Sequence, residues 1–177
     1  MTIDQSIYGS LARLLDYPAA GYCEAAEEWI AQIGNQCPVA GEALQPFLAF
    51  VRERSAEKLE ELYCITFDNS QTAALELGWH VYGETYERGA FLVQMRALLR
   101  EHGVPERSEL PDHLSLVLQA MSLCSEEHAL KLAADTVKPA VRKILVSLAA
   151  DQNPYEPVLD AVLQVTRQHA QQSYNHS

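Results

Sequence analysis

Apolar side chains along this chain recur every three or four positions, the spacing of helices that bury one stripe. Over residues 3–16, Ile7, Leu11, Leu14 and Leu15 share a face, and Tyr17-Pro18 closes the helix. From Tyr22 to Ile33, Ala26, Trp29, Ile30 and Ile33 turn inward while Glu24, Glu27 and Glu28 turn outward, and Gly34 stops the run. A third segment, after Cys37-Pro38, carries Leu44, Phe47, Leu48 and Val51. Ser55 caps a fourth, which presents Leu59, Leu62, Tyr63 and Phe67 and breaks at Asp68-Asn69-Ser70.

Residues 72–82 predict a compact helix holding Leu75, Leu77, Trp79 and Tyr82, stopped by Gly83. A longer helix from Glu84 to His102 spaces Tyr86, Phe91, Met95, Leu98 and Leu99 for burial. The stretch from Gly103 to Pro111 reads as a linker between a larger lobe, 1–102, and a smaller one, 112–177. Pro111 keeps Leu110 extended, and Asp112 falls at or beside the N-cap of a helix that buries Leu114, Val117, Leu118 and Met121. Three more helices follow: one started by Ser125-Glu126-Glu127, one over 136–149 with Pro139 in its first turn, and one from Pro154. No strand-like alternation and no solenoid repeat is present. The expectation is an all-α, single-domain bundle of roughly eight to ten helices, with two lobes joined near 103–111.

A net charge of -11 argues against a nucleic-acid partner or an anionic membrane surface, and it suits a basic one. The start, Met1-Thr2-Ile3-Asp4-Gln5-Ser6, has neither a basic nor an apolar leader region, and the apolar run near Ile144 is too short to insert in a bilayer. Four dispersed cysteines, Cys23, Cys37, Cys64 and Cys124, suggest reduced thiols in the cytoplasm. Asn175-His176-Ser177 matches a glycosylation acceptor by chance in that setting. No nucleophile elbow, dinucleotide fingerprint or phosphate-loop lysine occurs, and the acids of Gly83-Glu84-Thr85-Tyr86-Glu87-Arg88-Gly89 would repel a phosphate. The six histidines form no metal-ligand pair by spacing. No catalytic residue, metal ligand or cofactor is therefore assigned. The rival reading is a small helical enzyme or metal carrier built on His80, His113 or Cys64.

Aromatic residues beside acids are the distinctive feature. Tyr63, Phe67 and Asp68 fall close together, Trp79 and Tyr82 precede the Gly83 break, and Glu109, Asp112 and His113 mark the helix start after the linker. Such a groove, apolar with carboxylates at one end, would suit an amphipathic peptide carrying arginines ahead of an apolar stretch.

Three blocks carry a family likeness: Tyr63-Cys64-Ile65-Thr66-Phe67-Asp68, Tyr82-Gly83-Glu84-Thr85-Tyr86-Glu87-Arg88-Gly89 and Glu109-Leu110-Pro111-Asp112-His113-Leu114. With Lys138-Pro139-Ala140-Val141 and Asn153-Pro154-Tyr155, they resemble the nitrate reductase delta-subunit family from about Tyr8 to Val165. These are NarJ-type chaperones, in the wider group that includes the TorD and DmsD types. The resemblance implies a cytoplasmic all-helical chaperone, not an enzyme, that binds the N-terminal, twin-arginine-like segment of a molybdenum oxidoreductase catalytic subunit. It would assist molybdenum cofactor insertion before membrane docking or export, with nitrate reductase the leading client and cofactor-biosynthesis proteins as further partners. By the same likeness, Asp112 and His113 would line the groove and Phe67 and Tyr82 its wall, while Gly83, Gly89 and Pro111 shape the backbone and Arg88 pairs with an acid. Family members often carry Tyr where His113 stands. A permanent scaffold subunit is a further alternative, and monomer and dimer both stay open.

Overall fold

A computed structural model describes residues 3–176. Met1, Thr2 and Ser177 lie outside the described residues, and with them the first two positions of the Met1–Ser6 stretch and the last position of the Asn175-His176-Ser177 triplet. Among the described residues every regular element is helical, so the chain is an all-α bundle. The helices are α1 (Ser6–Leu14), α2 (Tyr22–Gln36), α3 (Pro38–Ala43), α4 (Gln45–Arg52), α5 (Ala56–Tyr63), α6 (Leu77–Tyr82), α7 (Tyr86–Glu101), α8 (Leu114–Met121), α9 (Glu126–Leu132), α10 (Lys138–Ala150) and α11 (Glu156–His176). A π-helical turn, Cys64–Asp68, prolongs α5, and a second, Ala133–Val137, joins α9 to α10 as one rod. No described helix is long and apolar enough to cross a membrane.

The apolar stripes explain the packing. Ile7, Leu11 and Leu14 bury α1 against α2 and α8, and α11 runs along α3 and α10. The Tyr8 hydroxyl meets His169 Nδ1 at 2.8 Å, joining the first helix to the last. One continuous core draws side chains from Ile3 to Val165. Within it, Tyr63, Phe67 and Tyr155 pack edge to face at ring separations of 4.8 to 6.0 Å, and Phe47 lies tilted against Tyr155 at 5.3 Å.

Three expectations need correction. Helix α2 does not stop at Gly34 but runs on to Gln36. The helix expected over 72–82 begins only at Leu77, although Ala73 and Leu75 are buried as a helix would bury them. The backbone of this stretch bonds elsewhere: Leu114 N donates to Leu75 O at 2.8 Å, and Leu77 N donates to Asp112 O at 2.9 Å. Tyr86, expected in the core, is 97% exposed. Thr85 is the N-cap of α7, its hydroxyl accepting from Arg88 N, and this puts Tyr86 at the first helical position, facing out.

Helices α2 and α3 approach backbone to backbone, where a Cβ built on Gly41 would lie 2.5 Å from the Gly34 Cα. Backbone cannot yield there as a side chain would. Gly41→Ala should therefore cost roughly 1–3 kcal/mol despite its better helix propensity. Gly34→Ala, whose Cβ would meet Gly41 at 3.4 Å, should cost less. Urea denaturation of the two variants checks the order.

Candidate functional site

The residues singled out by sequence divide between an interior support and a surface cleft. Asp112 belongs to the support: it is fully buried, and it is not the N-cap of α8. Its Oδ2 instead accepts from Gly78 N at 3.0 Å, so it caps α6, 34 positions back along the chain. Arg88 reaches the same oxygen at 3.5 Å, and Asp112 Oδ1 and Arg88 Nε are both buried without a protein partner. Burial raises the Asp112 carboxyl above its usual range, and Arg88 and the Gly78 amide pull it back down. Gly78 is the position sequence reasoning missed. A Cβ there would stand 2.7 Å from Asp112 Oδ2 and 3.2 Å from Phe91, so only glycine admits the carboxylate.

His113 is the true N-cap of α8 and is also buried. Its Nδ1 accepts from Ser115 N at 3.2 Å and from the Ser115 hydroxyl at 3.0 Å. That leaves the proton on Nε2, which faces the Tyr63 hydroxyl at 3.4 Å; Tyr63 in turn donates to Leu15 O at 3.0 Å. Burial depresses the imidazole to about 4, so it is neutral at neutral pH. Around Asp112 and His113, the Leu77–Asp112 and Leu114–Leu75 bonds and the Glu76–His113 bridge sew the chain before α8 onto the start of α6. Tyr63 and Phe67 lie in the aromatic core, Pro111 is buried, and Tyr82 is half-buried against Phe91 at 5.5 Å. Gly83 ends α6 with φ +65°, and Gly89 sits in the regular helix α7 with open space around it.

Above this support lies a cleft of about 380 Å³ that brings together Asp68, Trp79 and Arg88 with Glu76, Glu84 and Leu110. The π turn ends at Asp68, burying Phe67 and leaving the carboxylate outside. Trp79 is held by its indole N–H, which donates to Gln71 O at 3.0 Å. Two further clefts adjoin it. One, of about 550 Å³, shares Glu84 and Arg88 and adds Tyr86, Gly89 and Leu92. The other, of about 610 Å³, shares Gln71 and Trp79 and adds Val146 and Ala150. The result is a trough with carboxylates and Arg88 in the middle and mostly apolar wall toward each end, Lys143 standing at the Val146 end; Tyr86, Leu110 and Val146 are all exposed. Partial burial raises the Glu76 carboxyl, and Asp112 and Asp68 add to that. Glu109, half-buried, is raised by burial and then by Glu76, Asp68 and Asp16. A cation entering the trough would relieve this repulsion.

The residues of the rival metal or enzyme reading stand apart. His80 Nε2 is engaged by Ala74 O at 2.6 Å, Cys64 is a free half-buried thiol, and His113 is tied up as a cap. Among the described residues no group of three or more His, Cys, Asp or Glu is placed to hold a metal ion.

The family model described as nitrate reductase delta subunit matches residues 35–171. The nitrate reductase molybdenum cofactor assembly chaperone NarJ of Escherichia coli K12 is 28% identical over 159 residues, which cover 88% of this chain and 67% of that protein. The probable nitrate reductase molybdenum cofactor assembly chaperone NarW of the same organism is 29% identical over 154 residues, 86% of this chain and 64% of its own length. The chain belongs to the nitrate reductase delta-subunit family.

Two stability outcomes follow from the buried support. Asp112→Ala removes the α6 cap and the Arg88 partner and should cost about 1–3 kcal/mol, whereas Asp112→Asn keeps an acceptor for Gly78 and should cost less. For His113 the folded value, about 4, lies below the ordinary 6.5, so the unfolded chain takes up the proton first. Its contribution is complete above pH 6.5 and drains away as pH falls toward 4, on the order of 2–3 kcal/mol in all. The raised carboxyls of Asp112, Glu76 and Glu109 act with the opposite sign. The pH dependence of unfolding should therefore be compared between the natural chain and His113→Gln, whose stability should fall less over that window.

Proposed function

We propose that this member of the nitrate reductase delta-subunit family is an assembly chaperone without turnover of its own. It binds the N-terminal segment of a molybdenum oxidoreductase catalytic subunit, nitrate reductase first among the clients, in the cytoplasm. The bound subunit is held while its molybdenum cofactor is inserted and before it docks at the membrane or is exported. The observation that carries this reading is the charge pattern of the trough. Asp68, Glu76 and Glu84 occupy its middle, with Leu110 among them and Tyr86 and Val146 exposed at its two ends.

A segment with arginines beside an apolar stretch fits that pattern in one register. Its guanidinium groups meet the carboxylates, and its apolar side chains lie on Trp79, Leu110 and one end of the trough. Loss of water from the apolar contacts supplies most of the affinity, while the acids orient the segment and speed its arrival. Asp112 and His113 act from beneath. They hold α6 and the start of α8 together and so fix the distance between Glu76 on one side and Leu110 on the other.

Calorimetry with a synthetic N-terminal peptide of the nitrate reductase catalytic subunit tests the reading. Glu76→Gln and Glu84→Gln should each weaken binding about threefold to tenfold while leaving the melting temperature nearly unchanged. Because the Glu76 and Glu109 carboxyls are raised, protonation begins above the usual glutamate range, and affinity should fall as pH drops from 7 to 5. No heat of binding for the folded protein, or an affinity indifferent to both substitutions and to pH, would remove the trough from the mechanism.

A further inference from the structure

We propose that the client segment lies in the trough in one direction only, and that Lys143 selects it. The amino-terminal, arginine-bearing part sits at the turn between α6 and α7, and the apolar stretch runs along α10. This direction presupposes that the trough is the client site; it adds which way the client runs and the residue that reads it. The three clefts stand in a line. The middle one shares Glu84 and Arg88 with the cleft at Tyr86, and Gln71 and Trp79 with the cleft at Val146, whereas the two outer clefts share no residue. Both ends offer apolar surface, so burial of apolar area alone leaves two directions open. Charge separates them.

At the Tyr86 end the acids continue outward. Glu84 lines both clefts there, and Glu87, exposed, follows in the first turn of α7. The amides that start α7 carry partial positive charge, but Thr85 accepts from one of them and the two glutamates flank them. Arg88 is the cation at this end, and it is drawn inward to Asp112.

At the Val146 end no acid lines the cleft, and Lys143 does. Its Nζ donates to His80 O at 2.6 Å, which fixes the ammonium at the rim against the last turn of α6. A carbonyl is neutral, so the charge remains, with N–H donors to spare. Among the described residues Lys143 has no carboxylate within 4.0 Å. Arg142, one position earlier and exposed, adds a second cation to this part of α10, while Asp151 lies past the end of the helix and outside the lining. Burial, with Lys143 adding to it, lowers the His80 imidazole below its usual range, so that ring contributes no charge at neutral pH.

The two ends of the trough therefore differ as the two parts of the client do. Guanidinium groups are attracted over Asp68, Glu76 and Glu84 and repelled toward Lys143, whereas an uncharged apolar stretch meets no such penalty on Trp79 and Val146. A client segment in helical form has a second reason to lie this way. Its carboxyl end exposes unpaired carbonyl oxygens, and Lys143 is the donor placed to receive them.

Photo-crosslinking to the full chain reads the direction. A synthetic N-terminal peptide of the nitrate reductase catalytic subunit carries benzophenone at its amino end in one preparation and at its carboxyl end in another, and mass spectrometry maps the attachment sites. The amino-end probe should attach around residues 86–92 at least about tenfold more than around 146–150, and the carboxyl-end probe should show the reverse. In Lys143→Glu, with its fold checked by melting temperature, that preference should fall to about threefold or less, and Lys143→Arg should keep it. A reversed or evenly divided pattern would overturn the direction and leave the client site standing. A preference unchanged in folded Lys143→Glu would overturn the role of Lys143. Failure of the peptide to bind, or attachment outside all three clefts, would remove the client site and the direction together.

Discussion

A buried carboxylate capping a helix that is distant in sequence is the constraint on which the rest of this structure depends. Asp112 satisfies the amide of Gly78 and meets Arg88, with the backbone on either side bonded to Leu75 and Leu77. A carboxylate removed from water is costly unless amides and a cation replace the lost hydration. Here they do so in part, since one oxygen and one guanidinium nitrogen remain unpartnered. The arrangement fixes three elements at once: the start of α6, the first turns of α7 through Arg88, and the entry to α8 through His113.

The surface follows from that interior. Because α6 starts at Leu77, the preceding stretch from Asn69 to Glu76 runs as irregular chain; Ala73 and Leu75 turn into the core, while Asn69, Gln71, Ala74 and Glu76 line the trough with Asp68 at the end of the π turn. Trp79, on the next turn, is pinned to Gln71 across the same loop. The acids nearest the Asp112 support therefore lie close to one another and partly out of water, which is why Glu76 and Glu109 hold their protons more tightly than free glutamate. A trough that stores repulsion when empty binds a cation more strongly than the same acids spread over an open surface.

Helix type and burial were legible in the sequence wherever one stripe meets one core. Leu11, Ile30, Leu59, Leu98 and Val162 all lie where their spacing put them. What stayed hidden was long-range or local in a way that period cannot express. Asp112 next to an apolar run looks like a local cap, and only the fold shows that its amide partner is Gly78. Tyr86 shares the spacing of its neighbours, but Thr85 starts the helix there and turns it outward. The aromatic–acid block at 63–68 was visible, yet the π turn divides it, sending Tyr63 and Phe67 inward and Asp68 outward. Glu76 had no local signal; its importance arises from proximity to Asp68, Arg88 and Leu110.

The central claim assigns different work to two sets of acids: Glu76 and its neighbours touch the client, and Asp112 holds the frame. A double-mutant cycle measured by calorimetry separates these roles, pairing chaperone variants with client peptides in which each arginine is replaced by alanine. The account predicts a coupling energy of about 1 kcal/mol or more between Glu76→Gln and one peptide arginine, and none between Asp112→Asn and any of them. Coupling to Asp112 with none to Glu76 would contradict it, because the buried carboxylate would then be the client's own anchor.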